Sequence, residues 1–224
     1  MKFIVLQILL SFLVLCACSN PFAPKKHTST GITKPPAPST ETPEILMDNL
    51  NRAMRDRDKD LYETLLDEDF WFTEEDCQGD IVLENGKEEE LEIMGGSRDS
   101  DKPGIFDIFV TFDFEFKPIK RSRELGPEYP KQHEDDPDGH PDEDWEVFRG
   151  RVIMTLLDEN GDGFDVDQIM NYKLRLAEDG LWKMIRWIDD PLSGDCGGFQ
   201  GGAKPMSPSI SWGAAKNHHR THNW

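Results

Sequence analysis

The sequence predicts an α+β fold in which N-terminal helices pack on a curved, mostly antiparallel sheet. Three observations lead to this prediction. Apolar residues recur at helical spacing early in the domain, and residues 106–116 then alternate between apolar and mostly polar side chains. Short glycine-containing turns join the later apolar segments, and such turns connect antiparallel neighbours. Helices that precede the strands, instead of alternating with them, are typical of the α+β class.

The first helix is predicted from Thr42, Pro43 and Glu44, which supply a cap, an N-terminal proline and an acid in the first turn. Apolar residues follow at helical spacing: Ile45, Leu46, Leu50, Ala53 and Met54. The charged residues 55–58 end this pattern. A second short helix presents one apolar face: Leu61, Tyr62, Leu65 and Leu66. Residues 87–94 predict a third helix, which ends at two glycines.

Strands are predicted over residues 69–73, 106–116, 145–157, 164–177 and 181–188. In the second of these, alternation predicts one buried face that packs on the helices: Phe106, Ile108, Val110, Phe112, Phe114 and Phe116. The opposite face should be wet: Asp107, Asp113 and Glu115. Turns at residues 160–163 and 179–180 predict two hairpins. A long acidic loop is expected over residues 120–144.

The first 17 residues predict an export signal. One lysine precedes an apolar run that is shorter than the about 20 residues needed to span a bilayer, which is typical of a secretory signal. The run ends in Leu15, Cys16, Ala17 and Cys18, an arrangement that resembles the lipid-attachment motif of bacterial lipoproteins. The resemblance implies cleavage before Cys18 and acylation of its thiol and new amine. The alternatives are an ordinary secretory signal or a retained transmembrane anchor.

The predicted organisation is a signal peptide (residues 1–17), a lipidated Cys18 with a disordered tether rich in Pro, Ser and Thr (18–42), a domain (43–190), and a Gly/Pro-rich loop with a polar tail (191–224). The formal net charge is −19. This charge argues against nucleic acid as a partner, because phosphate binding needs a cationic face. It also argues against a polybasic membrane-binding surface.

The order of elements in residues 43–190 resembles the nuclear transport factor 2-like superfamily, which includes SnoaL-like polyketide cyclases and ketosteroid isomerases. Two amphipathic helices precede the strand Asp69-Phe70-Trp71-Phe72, and a short helix and long antiparallel strands follow. The resemblance implies a cystatin-like cone, in which the curved sheet wraps around the helices. Residues 211–216 are also similar to a tail found in lipid-anchored members of the superfamily.

Isomerases of the resembled superfamily need an Asp base and Tyr or Asp hydrogen-bond donors in an apolar pocket. The candidates here are Tyr62 on the second helix, Tyr172 and Asp189 on late strands, and Asp107, which alternates away from the Phe face. Core packing explains the tyrosines better than catalysis does, and no catalytic set is predicted from these residues. The sequence has no Ser-His-Asp spacing, phosphate loop or dinucleotide fingerprint, so no cofactor is predicted.

Two cysteines remain once Cys16 leaves with the signal and Cys18 is acylated. Cys77 and Cys196 predict a structural disulfide in an oxidising compartment. It would close a loop of about 120 residues and contribute about 4–5 kcal/mol before any native strain. Two free thiols, or a redox pair, are the alternatives, although no Cys-x-x-Cys motif supports the latter.

Three polar segments were considered as cation sites. Asp158, Asn160 and Asp162 begin like a calcium-binding loop, but Ile169 stands where a bidentate Glu is required, which favours a hairpin turn. The acidic run of residues 134–146 is typical of a solvated, mobile loop. His218, His219 and His222 lie in a predicted unstructured end. No metal site is predicted, and weak cation binding stays open as an alternative.

These observations predict a protein of the cell envelope that is anchored to a membrane by its lipid. In a Gram-negative cell it would lie on the outer membrane or face the periplasm. Its domain is expected to bind an unknown protein or a small apolar ligand without catalysis, because six large apolar side chains suggest a filled interior. The alternative is a small pocket enzyme of the isomerase or cyclase type.

Overall fold

The computed structural model describes residues 36–97, 99–134, 136–190 and 210–221. Within them the helices are α1 (Pro43–Asp56), α2 (Lys59–Leu65), α3 (Lys87–Gly95), α4 (Ile105–Ile108) and α5 (Trp212–Thr221). The strands are β1 (Leu66–Glu75), β2 (Ile81–Gly86), β3 (Thr111–Glu124), β4 (Trp145–Leu157), β5 (Gly163–Leu176) and β6 (Trp182–Asp189). A short 3₁₀ turn covers Gly126–Glu128. The predicted α+β class is confirmed.

The six strands form one curved, mixed sheet in the order β2-β1-β6-β5-β4-β3. Neighbours pair antiparallel except β1 and β6, which are parallel. The parallel pair places Phe72 opposite Trp187, and the β1–β2 pair places Phe72 opposite Asn85. Both predicted hairpins are confirmed, because Leu157 pairs with Gly163 and Leu176 with Trp182. Gly161 and Gly180 take positive φ angles in these turns, which favour glycine.

The first helix begins at its predicted cap, and the second begins after Asp58, whose cap was not predicted. The Thr42 side chain accepts a hydrogen bond from the Ile45 amide at 3.3 Å, and Asp58 accepts one from the Leu61 amide at 3.2 Å. Helix α1 ends at Arg57, which takes a left-handed conformation with φ 53°. The Arg57 guanidinium then donates to the Phe109 carbonyl at 2.9 Å, which ties the helix end to the chain before β3.

The predicted strand over residues 106–116 is wrong in its first half. Gly104 and Asp107 form the cap of α4, in which the Asp107 carboxylate accepts a hydrogen bond from the Gly104 amide at 3.1 Å. Phe106 of this helix and Phe109, which follows it with an extended backbone, are both buried, whereas Val110 is 47% exposed. From Thr111 onward the alternation holds, since Phe112 and Phe114 are buried while Asp113 and Glu115 are exposed.

Other boundaries also differ from the prediction. Strand β1 begins at Leu66, which the apolar pattern places on the second helix, and β3 continues to Glu124 into the predicted loop. The sequence does not predict strand β2, because this edge strand exposes Ile81 and Val82 and so lacks a simple alternation. The polar end predicted around His218 and His219 is wrong for residues 212–221, which form α5.

The core lies between one face of the sheet and the helices. Leu46, Leu50, Leu61 and Leu65 are all buried in it, as the amphipathic patterns of α1 and α2 predict. Helix α5 adds Trp212 and Ala215 to the same core, so the last described helix completes the interior. In the described part of the chain, the helices are too short or too polar to cross a membrane.

Candidate functional site: a buried polar centre

Polar side chains from five elements meet inside the core. Tyr62 of α2, Asn85 of β2 and Glu90 of α3 are almost completely buried there. Lys216 of α5 and Asp189 of β6 are each 0% exposed. Ionised groups in an apolar interior cost several kcal/mol each unless they are paired and hydrogen-bonded. The contacts of this group, here called the polar centre, therefore decide what it can do.

Glu90 organises the polar centre by accepting hydrogen bonds on both carboxylate oxygens. Its Oε1 accepts from the Tyr62 hydroxyl at 2.6 Å, and its Oε2 accepts from Asn85 Nδ2 at 2.7 Å. The Oε2 atom also lies 2.7 Å from Lys216 Nζ. Three donors, one of them cationic, thus satisfy the carboxylate, which is the condition for keeping a charge inside a protein.

The Lys216 ammonium is surrounded by aromatic rings. Its Nζ lies 3.4 Å from the centroid of Phe72, 4.9 Å from that of Trp187 and 5.4 Å from that of Trp212. Cations are attracted to ring faces within about 6 Å. Burial lowers the pKa of Lys216, and the neighbouring Glu90 and Asp189 charges oppose this shift. The rings and Glu90 together replace the water that the ammonium loses.

Asp189 is less well compensated than Glu90. Its Oδ1 accepts from Trp187 Nε1 at 2.8 Å, and the Gly213 amide donates to the carboxyl group. Burial raises the pKa of Asp189 well above its usual range, although the Lys216 charge opposes the shift. Burial raises the pKa of the Tyr172 hydroxyl, and the Asp189 charge raises it further. This hydroxyl donates a hydrogen bond to Met170 Sδ at 3.4 Å. Both groups are 0% exposed.

Helix α5 closes the polar centre through its first turn. The Trp212 amide donates to Gln168 Oε1 at 3.0 Å, and the Trp212 ring stacks on Trp187 with centroids 6.3 Å apart. Further along, His219 Nε2 lies 2.7 Å from the Pro103 carbonyl oxygen, and burial lowers the His219 pKa. These contacts hold the first turn of α5 against β5 and β6 and its last turn against the chain before α4.

The structure brings together three of the four candidates that the sequence suggests for an isomerase. Tyr62, Tyr172 and Asp189 all belong to the interior, and the charge of Asp189 affects the pKa of both tyrosines. Asp107 lies elsewhere, at the start of α4, where it forms a 2.7 Å ion pair with Lys59. It therefore has a structural role in capping this helix.

Sequence reasoning missed Glu90 and Lys216. Glu90 belongs to the run Glu88-Glu89-Glu90, which is typical of a solvated helix face. A signal was nevertheless present, because Glu90, Ile93 and Met94 have the i, i+3, i+4 spacing of one helix face, and all three are buried. Lys216 has the same spacing from Trp212, four residues earlier.

Open cavities lie outside the polar centre. One of about 520 Å³ is bordered by α2 and α3 and combines apolar with acidic lining: Tyr62, Leu91, Met94, Phe106, Asp60 and Glu92. Another, of about 740 Å³, lies between β1 and the acidic loop. Neither is lined by Asp189, Tyr172 or Lys216. Of the polar centre, Tyr62 borders the 520 Å³ cavity, whereas Asp189 and Lys216 border neither of these two cavities.

The acidic loop is more structured than the predicted solvated run. Asp138 accepts hydrogen bonds from Arg186 Nη2 at 2.9 Å and from Lys173 Nζ at 3.0 Å. His140 is 4% exposed and stacks between Tyr129 and Trp145, with centroids 4.9 and 3.8 Å away. The loop is thus fastened to strands β5 and β6.

Of the remaining sites considered from the sequence, one is a hairpin turn and the others include residues outside the described part of the chain. The Asp158 carboxylate accepts from the amides of Asn160 and Asp162 at 2.8 and 2.9 Å, which confirms a hairpin turn. Within the described residues, no group of three or more His, Cys, Asp or Glu side chains could hold a metal. Cys18, Cys196 and His222 lie outside the described residues, so lipidation and the pairing of Cys196 with Cys77 stay predictions.

No protein-family model and no curated protein sequence matches the chain. Similar solved structures include a nuclear transport factor 2-like protein of unknown function in nutrient uptake from Rhodospirillum rubrum (13% identity, 66% of this chain and 97% of that chain, TM-score 0.39). A ketosteroid isomerase-like protein from Erwinia carotovora atroseptica is similar at 15% identity over 67% and 93% of the two chains, with TM-score 0.41. An uncharacterised protein with a cystatin-like fold from Caulobacter vibrioides is similar at 11% identity over 69% of this chain and 89% of that chain, with TM-score 0.43. These values carry no information on activity.

Proposed function

We propose that the chain is a lipid-anchored protein of the cell envelope whose domain binds a protein or a small apolar ligand without catalysis. The observation that carries the non-catalytic part is the filled interior. Asp189 and Tyr172, the interior groups best suited to acid–base chemistry, are both completely buried. Trp212 and Lys216 of α5 are also completely buried and pack together in this interior, with Lys216 Nζ 5.4 Å from the centroid of the Trp212 ring. The 520 Å³ surface cavity is our candidate site for a small ligand.

The anchor is proposed from the residues around Cys18. Two or more acyl chains on one residue hold a protein stably at a membrane, whereas one chain does so only marginally. In cells that express the full chain, Cys18→Ser should abolish incorporation of a fatty acid analogue and release the protein from membranes or leave it unprocessed. Cys16→Ser is the matched control and should keep the label, because Cys16 leaves with the signal. Equal labelling of Cys18→Ser and the unchanged chain would refute the anchor.

The filled interior is tested by hydrogen exchange on the full chain. Amides of α5 should exchange as slowly as those of the central strands β4 and β5, because opening α5 would expose the polar centre. The edge strand β2 should exchange faster and provides the internal reference. If α5 exchanged like an unfolded segment, the interior would be open for much of the time, and the non-catalytic proposal would lose its support.

The second candidate function is a small pocket enzyme of the isomerase or cyclase type. One observation favours it: Asp189, Tyr172 and Tyr62 converge in an apolar interior, and perturbed titratable groups of this kind are common in active sites. Catalysis would require α5 to leave the polar centre. Mass spectrometry of full-length protein that is gently extracted from membranes distinguishes the two. A bound small molecule whose retention depends on Asp189 and Tyr172 would favour the enzyme.

A further inference from the structure

We propose that the polar centre is a binding site for an organic ammonium group and that the side chain of Lys216 is its built-in occupant. The inference goes beyond the proposed function, because it names a second site, the polar centre, and a second ligand class, organic ammonium groups. It does not depend on the lipid anchor, so failure of the Cys18 experiment would leave it unaffected. It stands on three observations: an aromatic cage, a carboxylate that is held in place without the lysine, and unused oxygen atoms nearby.

The cage is made of three rings around one cation. Phe72 lies closest, with its centroid 3.4 Å from Nζ, and Trp187 and Trp212 close two further sides. Aromatic cages are the usual protein device for holding ammonium groups away from water. A lysine that served only to fasten α5 to Glu90 would need the ion pair but not three surrounding rings.

Most of the site belongs to elements other than α5. Phe72 and Trp187 lie on paired strands, and Glu90 on α3 is oriented by Tyr62 and Asn85. Of the cage, helix α5 contributes only the Trp212 ring and the Lys216 ammonium that lies inside it. The carboxylate and two of the rings therefore keep their positions whichever ammonium group lies between them.

The site also has hydrogen-bonding capacity that Lys216 leaves unused. Asn85 Oδ1 and Asp189 Oδ2 are buried and have no hydrogen-bond partner among the described residues. Buried polar atoms of this kind are rare and call for an explanation. A primary ammonium has three donors, whereas the structure records one hydrogen bond from Nζ, to Glu90. An ammonium that is not tied to a helix backbone could satisfy these oxygens as well.

The experiment uses the full chain with Lys216→Ala, which removes three carbons and the ammonium, and n-propylammonium chloride as the probe that replaces them. Millimolar propylammonium should raise the thermal midpoint of this variant, and n-propanol, its neutral counterpart, should not. The Glu90 carboxylate and the aromatic rings both attract the ammonium group. We therefore expect propylammonium to bind the variant at least about tenfold more tightly than propanol does. The unchanged chain should show no shift, since Lys216 already fills the site.

The matched control is the double variant Glu90→Gln with Lys216→Ala, which keeps the cavity and removes the carboxylate. It should lose the preference for propylammonium. If Lys216→Ala does not fold alone, propylammonium should restore its near-ultraviolet circular dichroism during refolding, and propanol should not. Equal effects of the two probes would show an apolar cavity without ammonium recognition. That result, or no effect of propylammonium in either assay, would overturn the proposal.

Discussion

Glu90 and Asp189 are both completely buried acids, yet their surroundings differ in the number of donors. Glu90 receives three side-chain donors, including the Lys216 ammonium, whereas Asp189 receives one side-chain donor and one amide. A carboxylate with few donors in an apolar interior prefers its neutral form, because burial penalises the charge. Asp189 is therefore the group through which the interior should respond to pH.

The pH response of Asp189 has a definite sign. Its folded-state pKa is raised above 3.8, so the folded protein holds this proton at pH values where the unfolded chain has lost it. The stability that Asp189 contributes is complete below pH 3.8 and declines as the pH rises through the folded-state pKa. The asparagine of the Asp189→Asn variant cannot ionise. The free energy of unfolding of this variant should therefore increase, relative to that of the unchanged chain, as the pH rises. Urea unfolding across this range measures the difference, and a gain by the unchanged chain would contradict the assignment.

Phe112 provides a residue-scale test of the sheet face that packs on the helices. It is 7% exposed, and its ring meets Phe106 and Trp212 edge to face. Phe112→Ala should lower the free energy of unfolding by about 3–5 kcal/mol, as for other buried phenylalanines. Thr111→Ala, on the exposed face, should stay within about 0.5 kcal/mol. Denaturant unfolding compares them, and similar losses for both variants would mean that this face is not specifically packed.

At the scale of elements, α5 contributes to the core although it lies far from the strands in sequence. Trp212→Ala should cost about 3–5 kcal/mol, because it removes a large ring that stacks on Trp187 and leaves a cavity. Asn217→Ala is the control on the exposed face of the same helix and should have little effect. Thermal or urea unfolding of the two variants measures this difference in stability. A Trp212→Ala chain as stable as the control would show that α5 is not part of the folded core.

Local signals account for the elements that the sequence predicts well. The Thr42 cap begins α1, and the glycine turns join β4 to β5 and β5 to β6, because these signals act between near neighbours in the chain. The first half of the strand predicted over residues 106–116 is wrong because a short helix and a strand look alike over a few apolar residues. Their cap, Gly104 with Asp107, was the deciding feature.

The polar centre could be predicted only in part. Tyr62 and its interior neighbour Tyr172 lie within apolar patterns, so the sequence predicts that both point inward. Asp189 stands at a strand end, where the pattern does not predict its burial. Glu90 and Lys216 meet across 126 residues of chain. Helical spacing places Glu90 on one face with Ile93 and Met94, but it does not identify the residue that pairs with Glu90. Local periodicity therefore does not show that α3 and α5 meet.

At the scale of the whole molecule, the predicted disulfide would join the turn after β1 to the segment after β6. Non-reducing peptide mapping of the exported protein should find Cys77 linked to Cys196. Replacing both by Ala should lower stability by up to about 4–5 kcal/mol, the loop-entropy value for a loop of about 120 residues. Removing Cys77 alone should leave Cys196 open to alkylation. Two freely alkylated thiols in the unmodified protein would reject the bond.

The position of α5 in the chain has a consequence for the order of folding. All six described strands are synthesised before α5. Because Trp212 and Lys216 of α5 are completely buried, we expect the core to stay incomplete, and Glu90 and Asp189 to stay accessible to water, until α5 has been made. Packing of α5 should then exclude this water and bury the ion pair between Lys216 and Glu90. This order should delay the closed fold until nearly all of the described chain has been made. For a chain that is exported, as we propose, the growing polypeptide would then stay easy to unfold for passage across a membrane.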